Sequence, residues 1–341
     1  MDLVSICIPV YNGQDFLAAA LDSALAQTYR NVEILIVEDG SSDASVAIAA
    51  HYAERYPSVR LIANPQNYGL VGNWNRCVEL ARGTWIKFLF QDDLLSPDCV
   101  ARLLELGQNG WPFVACDREF LFEGAVSDEL VEFYRRNRAH VHAVFRGQAG
   151  CTAIEYVAQA LPELQRNWIG EPSATLIRAD VFATYGLFNP ALSQLCDLEF
   201  WHRLGGNVGI GFVPRTLASF RVHAGGATAK NQGNRRFLSS SLDKLALLHT
   251  AARSPHCSSF RKQADGSGTA HALERAFRGR AHTVFEWVRL HGTEPCGQTT
   301  VSLAYRTFLN CQPECRVWPV SHIAWRLRSN WWHLMQLLRR Q

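Results

Sequence analysis

Asp92 and Asp93 follow directly on the apolar run Trp85-Ile86-Lys87-Phe88-Leu89-Phe90-Gln91, so two acceptor-only side chains are delivered together at the end of what reads as a strand. Paired carboxylates in that position suit a hard divalent cation and, through it, a substrate phosphate. They equally suit an acidic turn ahead of a helix begun by Ser96-Pro97, where Ser would cap and Pro would take the first helical position. Other groups sit at comparable places. Asp39 ends a β-branched run, His223 ends the run Leu217 to Val222, and Asp197 heads a helical stretch. Taken alone, they read as a loop acid, a hydrogen-bonded strand-end imidazole and a helix-cap carboxylate. His291, Cys296, Cys311 and Cys315 do not have the spacing of zinc-ligand pairs, and the chain contains no Cys-x-x-Cys.

The elements that must position these groups alternate in type. Val4 to Val10 is a short apolar run ending in Pro9-Val10-Tyr11-Asn12-Gly13, which suits a buried strand that stops in a turn. Gln14 to Gln27 carries Phe16, Leu17, Ala20, Leu21, Ala24 and Leu25 at helical spacing. Val32 to Val37 predicts a second strand, followed by Glu38-Asp39-Gly40-Ser41-Ser42-Asp43 and a helix through Tyr52, with Ser41 or Ser42 as its cap. Val59 to Ala63 is a third strand, and Gly72 to Ala81 a helix closed by Gly83 in a left-handed cap. The strand ending at Asp92-Asp93, a helix from Pro97 to about Leu106 and a strand at Phe113 to Cys116 complete the pattern. Repeated β-α units imply a mostly parallel sheet with ligands gathered at the carboxyl ends of its strands. Residues 118–150 are charged and weak in strand signals, and read as an insertion or flap. Past about Lys230 helices dominate, interrupted by Asp265-Gly266-Ser267-Gly268.

Length and composition bound the class. At 341 residues the chain has room for a large α/β core with additions. Lys plus Arg number 34 against 31 for Asp plus Glu, so there is no general pull toward nucleic acid. Ten scattered cysteines read as free thiols of a reducing compartment. No secretory leader or long apolar span is evident, so a cytoplasmic protein is expected. The stretch 316–341 has no Asp or Glu and carries Trp318, Trp325, Trp331 and Trp332 among arginines. On a helix, Ile323, Leu327, Trp331, Leu334 and Leu338 share one face. Two readings stay open for it: a peripheral contact with the inner face of an anionic membrane, and packing onto the rest of the chain.

Several stretches resemble inverting glycosyltransferases of family 2, which have the GT-A fold. They are Val4 to Gly13, Val37 to Asp43, Asn67 to Gly83, Gln91-Asp92-Asp93, Cys196 to Leu204 and Phe220-Arg221-Val222-His223. The resemblance spans about residues 3–225. It implies a catalytic domain over 1–229, with a nucleotide-sugar half at about 1–116 and an acceptor half at 117–229, followed by a mainly helical region at 230–341. It implies transfer of a sugar with inversion, from a nucleotide-diphosphate sugar (UDP- or dTDP-sugar favoured) to a hydroxyl on a carbohydrate or lipid-linked acceptor, in surface polysaccharide biosynthesis.

By the same resemblance, Asp92 and Asp93, with His223, would hold Mg²⁺ or Mn²⁺. Pro9, Tyr11, Asp39, Asn67, Asn75 and Asp92 would bind the nucleotide sugar, Asp39 by accepting a base N–H. Asp197 would be the general base, with Glu199 as the fallback, and Glu171-Pro172-Ser173 would border the acceptor pocket. The chain departs from the family pattern at Glu38 and Cys196, and at Phe90, where members often carry another Asp. The alternatives are a degenerate member that binds nucleotide sugar or glycan without turnover, and a sugar nucleotidyltransferase. The second would want a basic Gly-rich loop after the first strand, and Pro9 to Gly13 has no Lys or Arg. A dinucleotide oxidoreductase would want Gly-x-Gly-x-x-Gly there, which is also absent.

Overall fold

The computed structural model describes residues 1–136, 144, 147–232, 237–266, 270–296 and 298–316. Strand β1 (Val4–Val10) is buried along its whole length. It pairs in parallel with β2 (Val32–Glu38), and β2 in turn with β3 (Val59–Ala63). On its other side β1 pairs in parallel with β4 (Trp85–Phe88). Helices α1 (Leu17–Leu25), α2 (Ser45–Arg55) and α3 (Gly69–Leu80) make the crossovers. Both faces of this sheet are covered. Alternate residues of β1 therefore enter different cores, with Ile6 and Ile8 packed among α1 residues such as Leu17 and Leu21, and Cys7 packed among α3 residues such as Trp74 and Cys77.

The rest of the sheet is mixed. The chain continues through β5 (Leu94–Leu95), α4 (Cys99–Gln108), β6 (Phe113–Phe122), α5 (Asp128–Arg136), β7 (Gly150–Cys151) and α6 (Ala153–Ala160). It then forms β8 (Thr175–Arg178), α7 (Ala179–Tyr185), α8 (Cys196–Val208) and β9 (Ile210–Val222). The strand order is β3-β2-β1-β4-β8-β6-β9-β5, with β7 also on β9. β8 is antiparallel to both of its neighbours, whereas β6 and β9 are parallel. Helices follow: α9 (Ala227–Gln232), α10 (Asp243–Arg253), α11 (Ser258–Gly266), α12 (Ala270–His291) and, after a small hairpin, α13 (Val301–Cys311). They are not a separate body. Leu245, Phe260 and Phe277 share one continuous core with Phe200 and Trp201 of α8.

Several local expectations are corrected. β6 runs on to Phe122, paired with β9 across a register shift at Cys116 to Arg118. α5 packs Leu130 and Tyr134 against Phe120, Phe220 and Val222. Residues 118–136 are therefore built into the fold, because pairing with β9 outweighs the weak strand propensity of Asp117-Arg118-Glu119. Gly83 is not left-handed; it is small because a Cβ there would meet Ser5 N at 2.6 Å and Leu3 O at 2.7 Å. The helix after the acidic pair begins one residue beyond Asp98, with no side-chain cap. Ser41 and Ser42 do not cap α2 either: the Ser41 hydroxyl accepts Asn12 N–H at 2.9 Å, and Ser42 N–H donates to Asn12 Oδ1 at 2.8 Å. These serines bind one strand-end loop to the next. No helix among the described residues is long and apolar enough to cross a membrane. Apart from Arg316, the basic Trp-bearing stretch 316–341 lies outside the described residues.

Candidate active site

The acidic pair is fastened on three sides. Gln91 accepts Tyr11 N–H at 2.8 Å and donates to Tyr11 O at 3.1 Å, so the turn after β1 is tied to the loop after β4. Gly13 lets this happen, since a Cβ there would overlap the Gln91 amide at 2.4 Å. On the far side, Leu94 and Leu95 pair with Ser219 and Ala218 of β9. That register brings Arg221 and His223 to the acids. Arg221 donates from its backbone to Asp93 Oδ1 at 3.0 Å and from Nε to the Asp92 carbonyl at 2.9 Å. His223 Nε2 lies 3.1 Å from Asp92 Oδ2, and its ring meets the edge of Phe16 at 4.8 Å.

The two acids differ in environment. Asp92 is partly exposed, whereas Asp93 is fully buried and its Oδ2 has no hydrogen-bond partner. Burial and the neighbouring Asp92 push the Asp93 carboxyl well above the usual carboxylate range, and the Ser173 hydroxyl and the Arg221 N–H oppose this. A divalent cation fits this chemistry. Asp92 and His223 present an oxygen and a nitrogen side by side, and the orphaned Asp93 oxygen lacks the positive partner a buried carboxylate needs. Among the described residues no three His, Cys, Asp or Glu form a complete metal cage. A bound phosphate and water would have to supply the remaining ligands.

Asp39 lies at the end of β2, almost fully buried. Its carboxylate accepts Asn64 Nδ2 at 2.8 Å, Tyr68 N–H at 2.8 Å and Gly69 N–H at 2.9 Å. A carboxylate has about four lone-pair sites, so one remains for a ligand. Asn67 donates to the Asp39 carbonyl at 2.8 Å, which folds the same loop. Glu38, one of the departures from the family pattern named above, accepts the N–H groups of Gly40 and Ser41 and so shapes the turn. Tyr11 is 49% exposed on the same edge, which leaves its ring face open to a partner, while Pro9 is buried in β1. Asn75 is used differently: its amide donates to Phe188 O and accepts Phe188 N–H, both at 2.9 Å, and so joins α3 to the segment ahead of α8. Phe90 stacks on Trp74 with ring centroids 4.7 Å apart.

Asp197 sits in the first turn of α8, 9% exposed. Its Oδ1 accepts Leu198 N–H at 2.6 Å and its Oδ2 accepts the Asn167 amide at 2.9 Å. Burial, aided by the Glu171 carboxylate, pushes it up to about 7, while the Leu198 N–H and Arg118 pull it back. Glu199 faces elsewhere: it pairs with Arg203 at 2.8 Å and accepts the Thr250 hydroxyl at 3.1 Å, deep in the contact with α10. Asp243 of α10 accepts the N–H groups of Ser193, Gln194 and Leu195 at 3.0, 2.6 and 2.9 Å, and so holds the segment that leads into α8.

One short loop spans both groups. Ser173 Oγ accepts Phe90 N–H at 3.1 Å, and the buried Lys87 amino group holds the Ser173 carbonyl. At the other end Asn167 reaches Asp197. Between them Glu171 is ion-paired with Arg118 and raises the proton affinity of both Asp93 and Asp197. Tyr134 of α5 feels the same Glu171 and Asp93 charges. The segment from Asn167 to Ser173 thus touches both the loop that carries the acidic pair and Asp197. Sequence reasoning missed Arg118, Tyr134, Asn167 and Asp243, and gave Gln91 no role of its own although it lies in a quoted motif, because these roles depend on partners from 30 to 80 residues away.

Residues 5–152 match the profile of Glycosyl transferase family 2. The uncharacterized protein MT1568 of Mycobacterium tuberculosis is 33% identical over 239 residues, which is 69% of this chain and 72% of that protein. An uncharacterized glycosyltransferase of Rickettsia prowazekii, RP339, is 28% identical over 66% of each chain. Among solved structures, S. aureus TarS 1-349 aligns with a TM-score of 0.55 at 12% identity, covering 94% of each chain. The mannosyltransferase PcManGT of Pyrobaculum calidifontis, in complex with GDP-Man and Mn²⁺, aligns with a TM-score of 0.54 at 16% identity over 92% of this chain and 84% of that one. At these identities the structures speak for the fold alone. With the sheet order, the strand-edge site and the helical C-terminal region, these likenesses identify the chain as a member of glycosyl transferase family 2, a glycosyltransferase of GT-A fold.

Proposed function

We propose that the protein transfers a sugar from a nucleotide-diphosphate donor to a hydroxyl of a carbohydrate or lipid-linked acceptor, with inversion and in one displacement. The observation that carries this reading is the loop from Asn167 to Ser173, which binds the acidic loop at one end and Asp197 at the other. A leaving diphosphate and an attacking hydroxyl need opposite kinds of help, and one loop that ties the acidic pair to a second, separately held carboxylate supports such a division of roles. Asp92 and His223, backed by Asp93, would hold Mg²⁺ or Mn²⁺, which supplies Lewis-acid stabilisation of the leaving diphosphate. The remaining lone pair of Asp39 would accept a base N–H, with the open Tyr11 ring beside it. TarS has been crystallised with UDP-GlcNAc and PcManGT with GDP-Man, which supports a nucleotide-sugar donor.

Asp197 takes the proton of the acceptor hydroxyl as that oxygen attacks the anomeric carbon. Its proton affinity near neutrality suits a base that must both receive and release a proton. Transfer should rise with pH through about 7 and level off above it. Stability carries the opposite sign. Between roughly pH 4 and 7 the folded chain keeps a proton on Asp197 that the unfolded chain has lost, so this residue's contribution falls as pH rises through that window.

Asp197→Asn tests the assignment. Transfer should drop roughly 10²- to 10⁴-fold, donor binding by calorimetry should stay near wild type, and the stability loss between pH 4 and 7 should shrink. Wild-type turnover in this variant would remove Asp197 as the base. A wild-type protein that binds nucleotide sugar but transfers to no acceptor would favour the second reading, a binding protein without turnover, for which Phe90 in place of an acid is the motivation.

A further inference from the structure

The two oxygens of Asp197 are held by different donors: its own helix supplies Leu198 N–H, and a residue 30 positions earlier supplies the other bond. That second bond belongs to a closed circuit on α8. Trp201, one turn after Asp197, donates its indole N–H to Gly170 O at 2.9 Å. Gly170 N–H donates to Asn167 Oδ1 at 2.9 Å, which leaves Asn167 Nδ2 to point at Asp197. The same Nδ2 makes only a long 3.3 Å contact with Gly170 O. Gly170 has φ +106°, and a Cβ on it would lie 2.4 Å from the Arg118 guanidinium, so the loop can close in this shape only with glycine.

We propose that Asn167 is the positioning residue for the base: its amide, oriented by Gly170 and Trp201, aims the Asp197 carboxylate at the acceptor hydroxyl and stabilises its ionised form. This rests on Asp197 being the base. A carboxylate tethered at one oxygen can still swing about its Cβ, and a second donor on the other oxygen removes that freedom. An amide does so without adding charge. Charge is already set around Asp197 by Glu171 and Arg118, with the buried Cys196 thiol beside it, Asp243 of α10 beyond Cys196, and Tyr134 of α5 near Glu171. A neutral donor offsets Glu171 while leaving that balance intact.

Asn167→Asp is the informative variant. It keeps an acceptor for Gly170 N–H, and with it the loop, but removes the donor to Asp197 and sets a second carboxylate against it. The expected result is a fall in kcat of roughly tenfold to a hundredfold at neutral pH, with the donor KM within about twofold. The acid limb of the pH-rate profile should move up by about one unit or more, with partial recovery at high pH. Asn167→Ala, which adds no charge, should lose kcat with a smaller movement of that limb. A folded Asn167→Asp protein with wild-type kcat and pH profile overturns the proposal, and so does a loss confined to thermal stability. Asp197→Asn run in parallel separates the two claims. If it stays active, the base reading has failed; if it is dead while Asn167→Asp is normal, only the positioning role has failed.

Discussion

The strand-end side with Tyr11, Asp39 and Asp92, proposed above as the donor edge, and the helix-borne side with Asp197, proposed as the acceptor edge, are built by different means. At the donor edge, Tyr11, Asp39 and Asp92 each stand one to four residues beyond the end of a parallel strand, and the β1-β2-β4 register alone brings them side by side. Short ties then complete it, such as Gln91 to Tyr11 and Ser41 to Asn12. The acceptor edge has no such frame. Asp197 lies on a helix, and its position depends on Asn167, on Gly170 and on Asp243 from a helix outside the sheet. A strand-end site inherits order from the ladder, whereas a helix-borne site needs separate anchors on each side. The difference teaches that the helices after β9 serve the site as well as the fold, because one of them supplies the carboxylate that holds the segment entering α8.

If that contrast is right, breaking an anchor on the acceptor side should cost more than breaking one on the donor side. Asp243→Ala leaves the partly buried N–H groups of Ser193, Gln194 and Leu195 without their acceptor, and should destabilise the protein by about 2–4 kcal/mol in urea unfolding, with transfer reduced further than donor binding. Gln91→Ala removes two bonds at a more exposed site. It should weaken donor affinity by about fivefold to tenfold while unfolding moves by about 1 kcal/mol or less, measured by calorimetry and chemical denaturation. Arg215→Ala, which breaks an exposed 2.8 Å pair with Asp98 on the outside of the sheet, should shift stability by no more than about 0.5 kcal/mol and leave transfer unchanged. Equal effects of the first two variants would dissolve the distinction between the edges.

Phe90 marks where the two edges touch. Its ring joins the Trp74 and Phe188 cluster, and its backbone N–H is bound by Ser173 of the acceptor-side loop. A position where the resemblance leads one to expect an acid is here part of the apolar packing between α3, β4 and the segment after α7. The proposed metal edge would correspondingly be left to Asp92 and His223, with Asp93 buried behind them.

The alternation of β-branched runs with amphipathic stretches determined the parallel β-α half and its order, because strand and helix periods differ and each leaves its own mark on the chain. The acids at the strand ends were legible for the same reason. β6 beyond Cys116 was not, since Asp117-Arg118-Glu119 has poor strand character and is held by pairing with β9. Gly83 was misread because a close approach of Leu3 and Ser5 leaves no periodic trace. Above all, Asn167, Arg118 and Asp243 are ordinary polar residues in ordinary sequence surroundings. Their meaning comes from partners that are 30 to 53 positions away, and only chain closure brings an amide to Asp197 or a carboxylate to residues 193–195. The amino-acid sequence by itself determined which acids stand at the sheet edge; the tertiary structure decided which of them are buried and how Asp197 is held, because burial and orientation depend on what packs from elsewhere in the chain.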